Sequence, residues 1–249
     1  MSPRHIEHAA LEAREEELLD QALKIISEQG ATALTMDKLV ASVNYSKGTV
    51  YKHFSSKEDV FAGLCNRNMR WILTLFLRVS AIDACARERM TAIGFAYMLA
   101  TLLAPQNFLL VMHAKTALFE KASEARREEH TKIDEQLFGV IIGIIGDAIE
   151  QQELTPSESI DEKKISFSLW SMTFGTIGLL LNGDAACSHS SGLTMEDRVL
   201  QHGNIVMDGI GWAPSKRKTT ELVTWLKTDI FKEEVKALKK SGIDLMPNV

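Results

Sequence analysis

Thr35 to Val60 reads T-M-D-K-L-V-A-S-V-N-Y-S-K-G-T-V-Y-K-H-F-S-S-K-E-D-V. Met36, Leu39, Val40 and Val43 follow the i, i+3, i+4, i+7 spacing of a helix buried on one face, so a helix is predicted from Thr35. Asn44, a residue type that tolerates positive φ, is expected to stop it. Ser46 is placed to cap a following helix whose inward residues are Val50 and Phe54. This second helix must be short, because Ser55 and Ser56 open a capping box with Glu58 and Asp59 for another. Two short helices joined by a tight turn over 35–54 make a helix-turn-helix.

The segment is also set apart by charge. Lys38, Lys47, Lys52 and Lys57 occur with no acidic residue between Lys38 and Lys57, whereas Met1 to Asp37 holds three basic residues against eight acidic ones. With a net charge of -5 and a pI near 5.8, the whole chain offers nucleic acid no general attraction, so contact must come from this local patch. Lysines that neutralise phosphates release condensed counterions, which makes affinity salt-sensitive. With Val50 and Phe54 inward, steps of about 100° per residue put Gly48 and Lys52 on the opposite side. Tyr51 flanks one edge, Thr49 and His53 the other. Gly48 lets the backbone approach a groove, and the bordering hydroxyl, imidazole and ammonium groups suit phosphate oxygens. Lys47 lies in the first turn, where a reading helix meets base edges.

These residues resemble the TetR-type signature, most densely in the run S-x-G-T-x-Y-x-H-F-x-S-K-E from Ser46 to Glu58, and the likeness extends over about Glu12 to Ile72. The resemblance implies an all-α regulator with a three-helix DNA-binding domain at 12–72 and a larger helical ligand-binding and dimerisation domain at 73–249. It further implies that Thr35, Thr49, Tyr51, His53 and Lys57 hold phosphates, while Lys47 and Gly48, with Tyr45 or Lys52, face bases. The turn departs from the family pattern. Where a small residue, a glycine and an aliphatic residue are usual, this chain has Val43, Asn44 and Tyr45.

Outward from the motif, helical spacing dominates and no sustained period-2 alternation occurs, so the fold class expected from the residues alone is also all-α. A helix is predicted from about Leu11 to Gln29, ended by a left-handed Gly30. The helix opening at Ser56 is long enough to leave the N-terminal core and bridge to the rest. Further helices are expected at about Arg87 to Ala104, Asn107 to Phe119, Lys121 to Glu153, Ile160 to Leu181 opened by Ser159 with Glu162, and Met195 to Ile210 opened by Thr194 with Asp197. Asn182 to Gly192 is expected to be a loop. A last helix, about Thr219 to Lys240, would turn Leu222, Val223, Leu226, Ile230, Val235 and Leu238 inward. The apolar runs 138–145 and 169–181 are shorter than the ~18 residues of a membrane span, so no membrane association is expected. Met1 to Ala10 has no signal-type apolar stretch, and a cytoplasmic location is expected. Cys65, Cys85 and Cys187 are odd in number and lack C-x-x-C spacing, which argues against a disulfide framework or a zinc site.

Beyond Trp71 there is no nucleophile elbow, P-loop or H-E-x-x-H motif, so neither an enzyme nor a cofactor is expected. The expected partners are a double-stranded DNA operator, a largely apolar small-molecule effector, and a second copy of the chain packed through the helices near 165–181 and 195–210. Tyr97, Met112, His113, Phe138, Trp170 and Phe174 are the candidate lining of an effector pocket, being apolar with a few polar handles. The alternative function is a helical protein-interaction module that keeps the fold without reading DNA.

Overall fold

In the computed structural model the backbone is described for residues 3–108, 119–181, 192 and 194–245, with side chains over the same stretches except 3–8 and 119. The regular elements are all helical, with no strand among the described residues. In chain order they are α1 (Pro3–Gln29), α2 (Met36–Ala41), α3 (Lys47–His53), α4 (Lys57–Ser80), α5 (Ala86–Leu103), α6 (Glu124–Glu150), α7 (Glu162–Leu181), α8 (Met195–Gly209), α9 (Thr219–Trp225) and α10 (Lys232–Lys240). Most of the helix expected from Asn107, the loop expected from Asn182, and the residues Met112, His113 and Cys187 lie outside the described residues. Two compact units emerge, one built from the described parts of Met1–Met69 and Gln106–Ile133, the other from those of Arg70–Pro105 and Asp134–Val249. Both α4 and α6 run from one unit into the other.

In the first unit, Leu18, Leu19, Ala22, Ile25 and Ile26 form the buried stripe of α1. They pack with Leu39 of α2, Val50 and Phe54 of α3, and Val60, Phe61 and Leu64 of α4. Helix α1 begins at Pro3 rather than near Leu11. Its extra turns include the exposed Ala9 and Ala10. Ala9 and Ala10 have high helix propensity and are exposed, so apolar spacing does not register them. Gly30 ends α1 with φ 87° and ψ 160°, outside the left-handed helical region expected for it and open in practice only to glycine. Asn44 does not take positive φ. Instead α2 stops at Ala41, where the Ser42 amide bonds the carbonyls of both Lys38 and Leu39 and tightens the last turn.

In the second unit α5 is enclosed along most of its length and packs against α7, α8 and α10. Helix α7 starts at Glu162 because Asp161, not Ser159, supplies the cap, accepting the Lys164 amide at 2.8 Å. Thr194 caps α8 as its spacing predicts, accepting the Asp197 amide at 3.2 Å. At 20 residues α7 exceeds the apolar run visible in the sequence, and it is the one described helix long and apolar enough, by length and composition, to cross a membrane. Its Ile165, Leu169 and Ile177 are buried within the unit. The expected final helix is interrupted by a π-helical turn, Leu226–Ile230, closed by the Phe231 amide on the Leu226 carbonyl at 2.8 Å. The inserted residue rotates Phe231 inward in place of Ile230, and its fully buried ring lies 5.9 Å from that of Phe95.

Two helical glycines predict opposite outcomes. A Cβ at Gly63 would stand 3.0 Å from Phe54 Cε1 and 3.1 Å from Leu19 Cδ2, whereas one at Gly143 meets nothing within 4 Å. Gly63→Val should destabilise by about 1–3 kcal/mol through overpacking. Gly143→Ala should stabilise by about 0.5–1 kcal/mol through helix propensity. Urea denaturation midpoints check both.

Candidate nucleic-acid interface

Local caps set the geometry of the helix-turn-helix. Thr35 Oγ1 accepts the Lys38 amide at 3.2 Å and starts α2. Ser46 Oγ accepts the Thr49 amide at 3.1 Å and starts α3, with Thr49 Oγ1 itself 2.9 Å away. Ser56 Oγ accepts the Asp59 amide at 3.2 Å and starts α4. The Asp59 carboxylate is buried; it accepts the Ser55 amide at 2.9 Å and hydroxyl, and the Ser123 amide at 2.6 Å. Burial alone would raise its pKa, but the hydrogen bonds from Ser55 and Ser123 outweigh that and hold it below the ordinary aspartate range.

Lys47, Gly48, Tyr51 and Lys52 stand exposed on α3, with Thr35 and Lys57 exposed at the starts of the flanking helices. Thr49 is half-buried beside its cap. The His53 side chain is only 7% exposed, with Nδ1 3.6 Å from Glu15 Oε2 of α1. Tyr45 is half-buried against the core. Its hydroxyl donates to Glu17 and the Arg14 guanidinium lies 5.4 Å from its ring centroid. The Glu17 hydrogen bond pushes the phenol's pKa up. Lys47 Nζ lies 3.0 Å from Asp37 Oδ1 and 5.6 Å from the Tyr51 ring centroid. The bond to Asp37 raises its pKa, so the ammonium stays charged. Asp37, Glu17, Glu15 and Arg14 are residues of this surface that the sequence reading missed. For Asp37 a signal existed, because it is the last acid before the lysine run.

In the second unit, Tyr97 and Trp170 line a cavity of about 50 Å³ together with Phe76, Thr91, Thr173 and Met207. Phe138 and Phe174 pack against Trp170, with ring centroids 6.1 and 5.1 Å away. Burial pushes the Tyr97 hydroxyl's pKa well up, so the phenol is neutral.

The two short capped helices and the tight turn between them form a helix-turn-helix, and the chain is a DNA-binding transcriptional regulator. Residues 18–64 match the model of bacterial regulatory proteins of the tetR family. The N-terminal domain of this chain is therefore of the TetR type, the DNA-binding domain of a family of transcriptional regulators. The chain is 25% identical over 164 residues to the fatty acid metabolism regulator protein of Bacillus subtilis strain 168, covering 65% of this chain and 78% of that one. Over 63 residues it is 27% identical to the biofilm operon icaADBC HTH-type negative transcriptional regulator IcaR of Staphylococcus epidermidis, covering 25% of this chain and 34% of that one. The crystal structure of PfmR, a TetR family transcriptional regulator from Thermus thermophilus, shares the fold with a TM-score of 0.58 at 15% identity, covering 77% of this chain and 97% of that one.

Asp59→Asn should cost about 1–3 kcal/mol at pH 7, because the amide cannot accept all the bonds the carboxylate does. A depressed folded pKa contributes stability above the unfolded value of about 3.9 and loses it as pH falls through the folded value. The difference between wild type and variant should therefore shrink below about pH 4. Urea denaturation across pH 3–7 measures it.

Proposed function

We propose that the protein is a homodimeric repressor that binds a palindromic operator through α3 and is released by a small, largely apolar effector. The exposed Lys47, Gly48, Tyr51 and Lys52 of α3 carry the reading. Thr35, Tyr51 and Lys57 would hold phosphates, with Lys47, Gly48 and Lys52 at base edges. Thr49 would add its hydroxyl once phosphate competes with Ser46. For His53 and Tyr45 to join the contact, each must first leave its carboxylate, Glu15 or Glu17. Lys47 is likewise shared with Asp37 until DNA replaces it.

Dimerisation is supported by exposed large apolar side chains on α7 and α8. Phe167, Met172 and Leu179 are 60%, 40% and 52% exposed, and Ile205 is 56% exposed. A surface of this kind is covered by a second copy in a two-fold, self-complementary contact. Reading helices so paired enter successive major grooves about 34–36 Å apart. Repression is supported by the negative regulator of Staphylococcus epidermidis, and an apolar effector by the apolar cavity wall with Thr91 and Thr173 as polar handles. The effector acts by its differential affinity for two arrangements of the dimer, with α4 as the element that passes the change on.

Lys57→Ala and Tyr51→Phe should each weaken operator binding, about threefold to tenfold. Lys57→Ala should also reduce the salt slope by about 0.9. Anisotropy titrations at several salt concentrations test this, and unchanged binding in both variants would falsify the assignment of this face. In sedimentation the wild type should run as a dimer, and Phe167→Glu with Ile205→Glu as a monomer. A monomeric wild type would remove the homodimer.

A further inference from the structure

The first turns of α6 belong to the same unit as α3, and one side chain joins them. Arg126 is 12% exposed, and its Nη1 lies 2.8 Å from Glu15 Oε1 on α1 and 3.1 Å from Glu129 Oε2 on its own helix. Its other amino group donates to the backbone carbonyl of His53 at 3.4 Å, across 73 residues of sequence. The guanidinium carbon stands 4.9 Å from the centroid of the Phe54 ring. Asn66 of α4 secures this arrangement by donating to the Arg126 carbonyl at 3.1 Å and to Glu129 Oε2 at 2.9 Å.

His53 closes α3, so its carbonyl is one of those a helix end leaves without an intrahelical partner. A cation at that end also meets the partial negative charge of the terminus. Phe54, the next residue, is fully buried, and its ring fixes the angle at which α3 leaves the core. A planar guanidinium can stack on the ring and donate in its own plane at once, which an ammonium cannot.

We infer that Arg126 is a positioning residue for DNA reading: by bonding the His53 carbonyl and stacking on Phe54 it holds the C-terminal end of α3, so the start of α6 helps set the angle of the reading helix. This rests on α3 being the helix that enters the groove. Arg126 is engaged by Glu15, Glu129, the His53 carbonyl and the Phe54 ring, so the role inferred is positioning rather than phosphate contact. Helix α6 continues past Ile133 into the second unit.

The test uses the full-length protein and a duplex selected from random DNA by the wild type. Failure of the wild type to select any sequence would overturn DNA reading, and this inference with it, before any variant is made. Arg126→Ala should bind that duplex at least about tenfold more weakly with an unchanged salt slope, since no phosphate contact is lost. Amide exchange at residues 51–54 should speed up while that at 18–22 of α1 stays the same. Arg126→Lys keeps a charge between Glu15 and Glu129, and should fold, bind with intermediate affinity and still show faster exchange at 51–54. Should Arg126→Ala not fold, Arg126→Lys decides by the same criteria. Unchanged affinity overturns the inference. So does weaker binding with a slope smaller by about 0.9, which would make Arg126 a phosphate contact, or weaker binding without faster exchange at 51–54.

Discussion

Phe54 has no exposed surface, and neighbours from three other helices meet at its ring. Gly63 of α4 comes so close that a methyl group there would press on Cε1, Leu19 of α1 shares the same space, and the Arg126 guanidinium of α6 covers the ring. Burying a phenylalanine contributes about 1.5–3 kcal/mol. Its larger consequence is directional. Because Phe54 immediately follows α3, its fixed ring orients a helix of seven residues that is too short to be stable alone. Everything α3 presents to solvent is set by that anchor and by the Ser46 cap at the other end.

The exposed face that results is cationic in a chain of net negative charge, and acids from α1 and α2 restrain it. Asp37 holds Lys47, Glu17 holds Tyr45 and Glu15 lies beside His53, while Glu16 and Asp20 hold Arg67 at 3.2 and 2.7 Å. The Lys47 and Asp37 side chains are 63% and 83% exposed, so their pairing is worth little and is screened by salt. DNA phosphates can displace such a pair easily. The contact of His53 with Glu15 is harder to exchange, because the His53 side chain is only 7% exposed.

The sequence made the helix-turn-helix legible because its signals are local: caps, short apolar stripes and a run of lysines lie within one stretch. Long-range partners were not legible. Nothing near His53 says that Glu15 will take its ring, and nothing near Arg126 says that it reaches the end of α3. Helix α5 shows the same limit. Read as an apolar helix from Arg87, it buries Arg87, Glu88 and Arg89 at its start. Glu88 accepts the Ser215 hydroxyl at 3.0 Å and the Arg217 amide at 2.7 Å, while Arg87 reaches the Trp212 carbonyl at 3.1 Å and Asp208 at 2.6 Å. Buried charges of this kind are tolerated because partners from distant segments satisfy them, and those segments cannot be matched from spacing. The π-turn at 226–230 was hidden for a related reason: the 3.6 period carries Ile230 inward, and only tertiary packing of Phe231 on Phe95 favours the inserted residue.

Cavity size constrains how the proposed effector can act. A volume of about 50 Å³ is small beside the roughly 300–1,000 Å³ of small-molecule sites. An effector must therefore select a form in which the wall has opened, and the cost of opening subtracts from its affinity. Trp170 is the wall residue through which that opening reaches the outer face of α7. Its ring lines the cavity on one side and lies 5.8 Å from the ring of Phe167, which is exposed on the face proposed to meet a second copy. Displacing Trp170 displaces its stacked neighbours, because close-packed rings have no slack to absorb the shift. In a homodimer packed through this face, filling the cavity and repacking the contact between copies would be one event, so effector affinity and dimer geometry would be coupled without any motion passing first through α4.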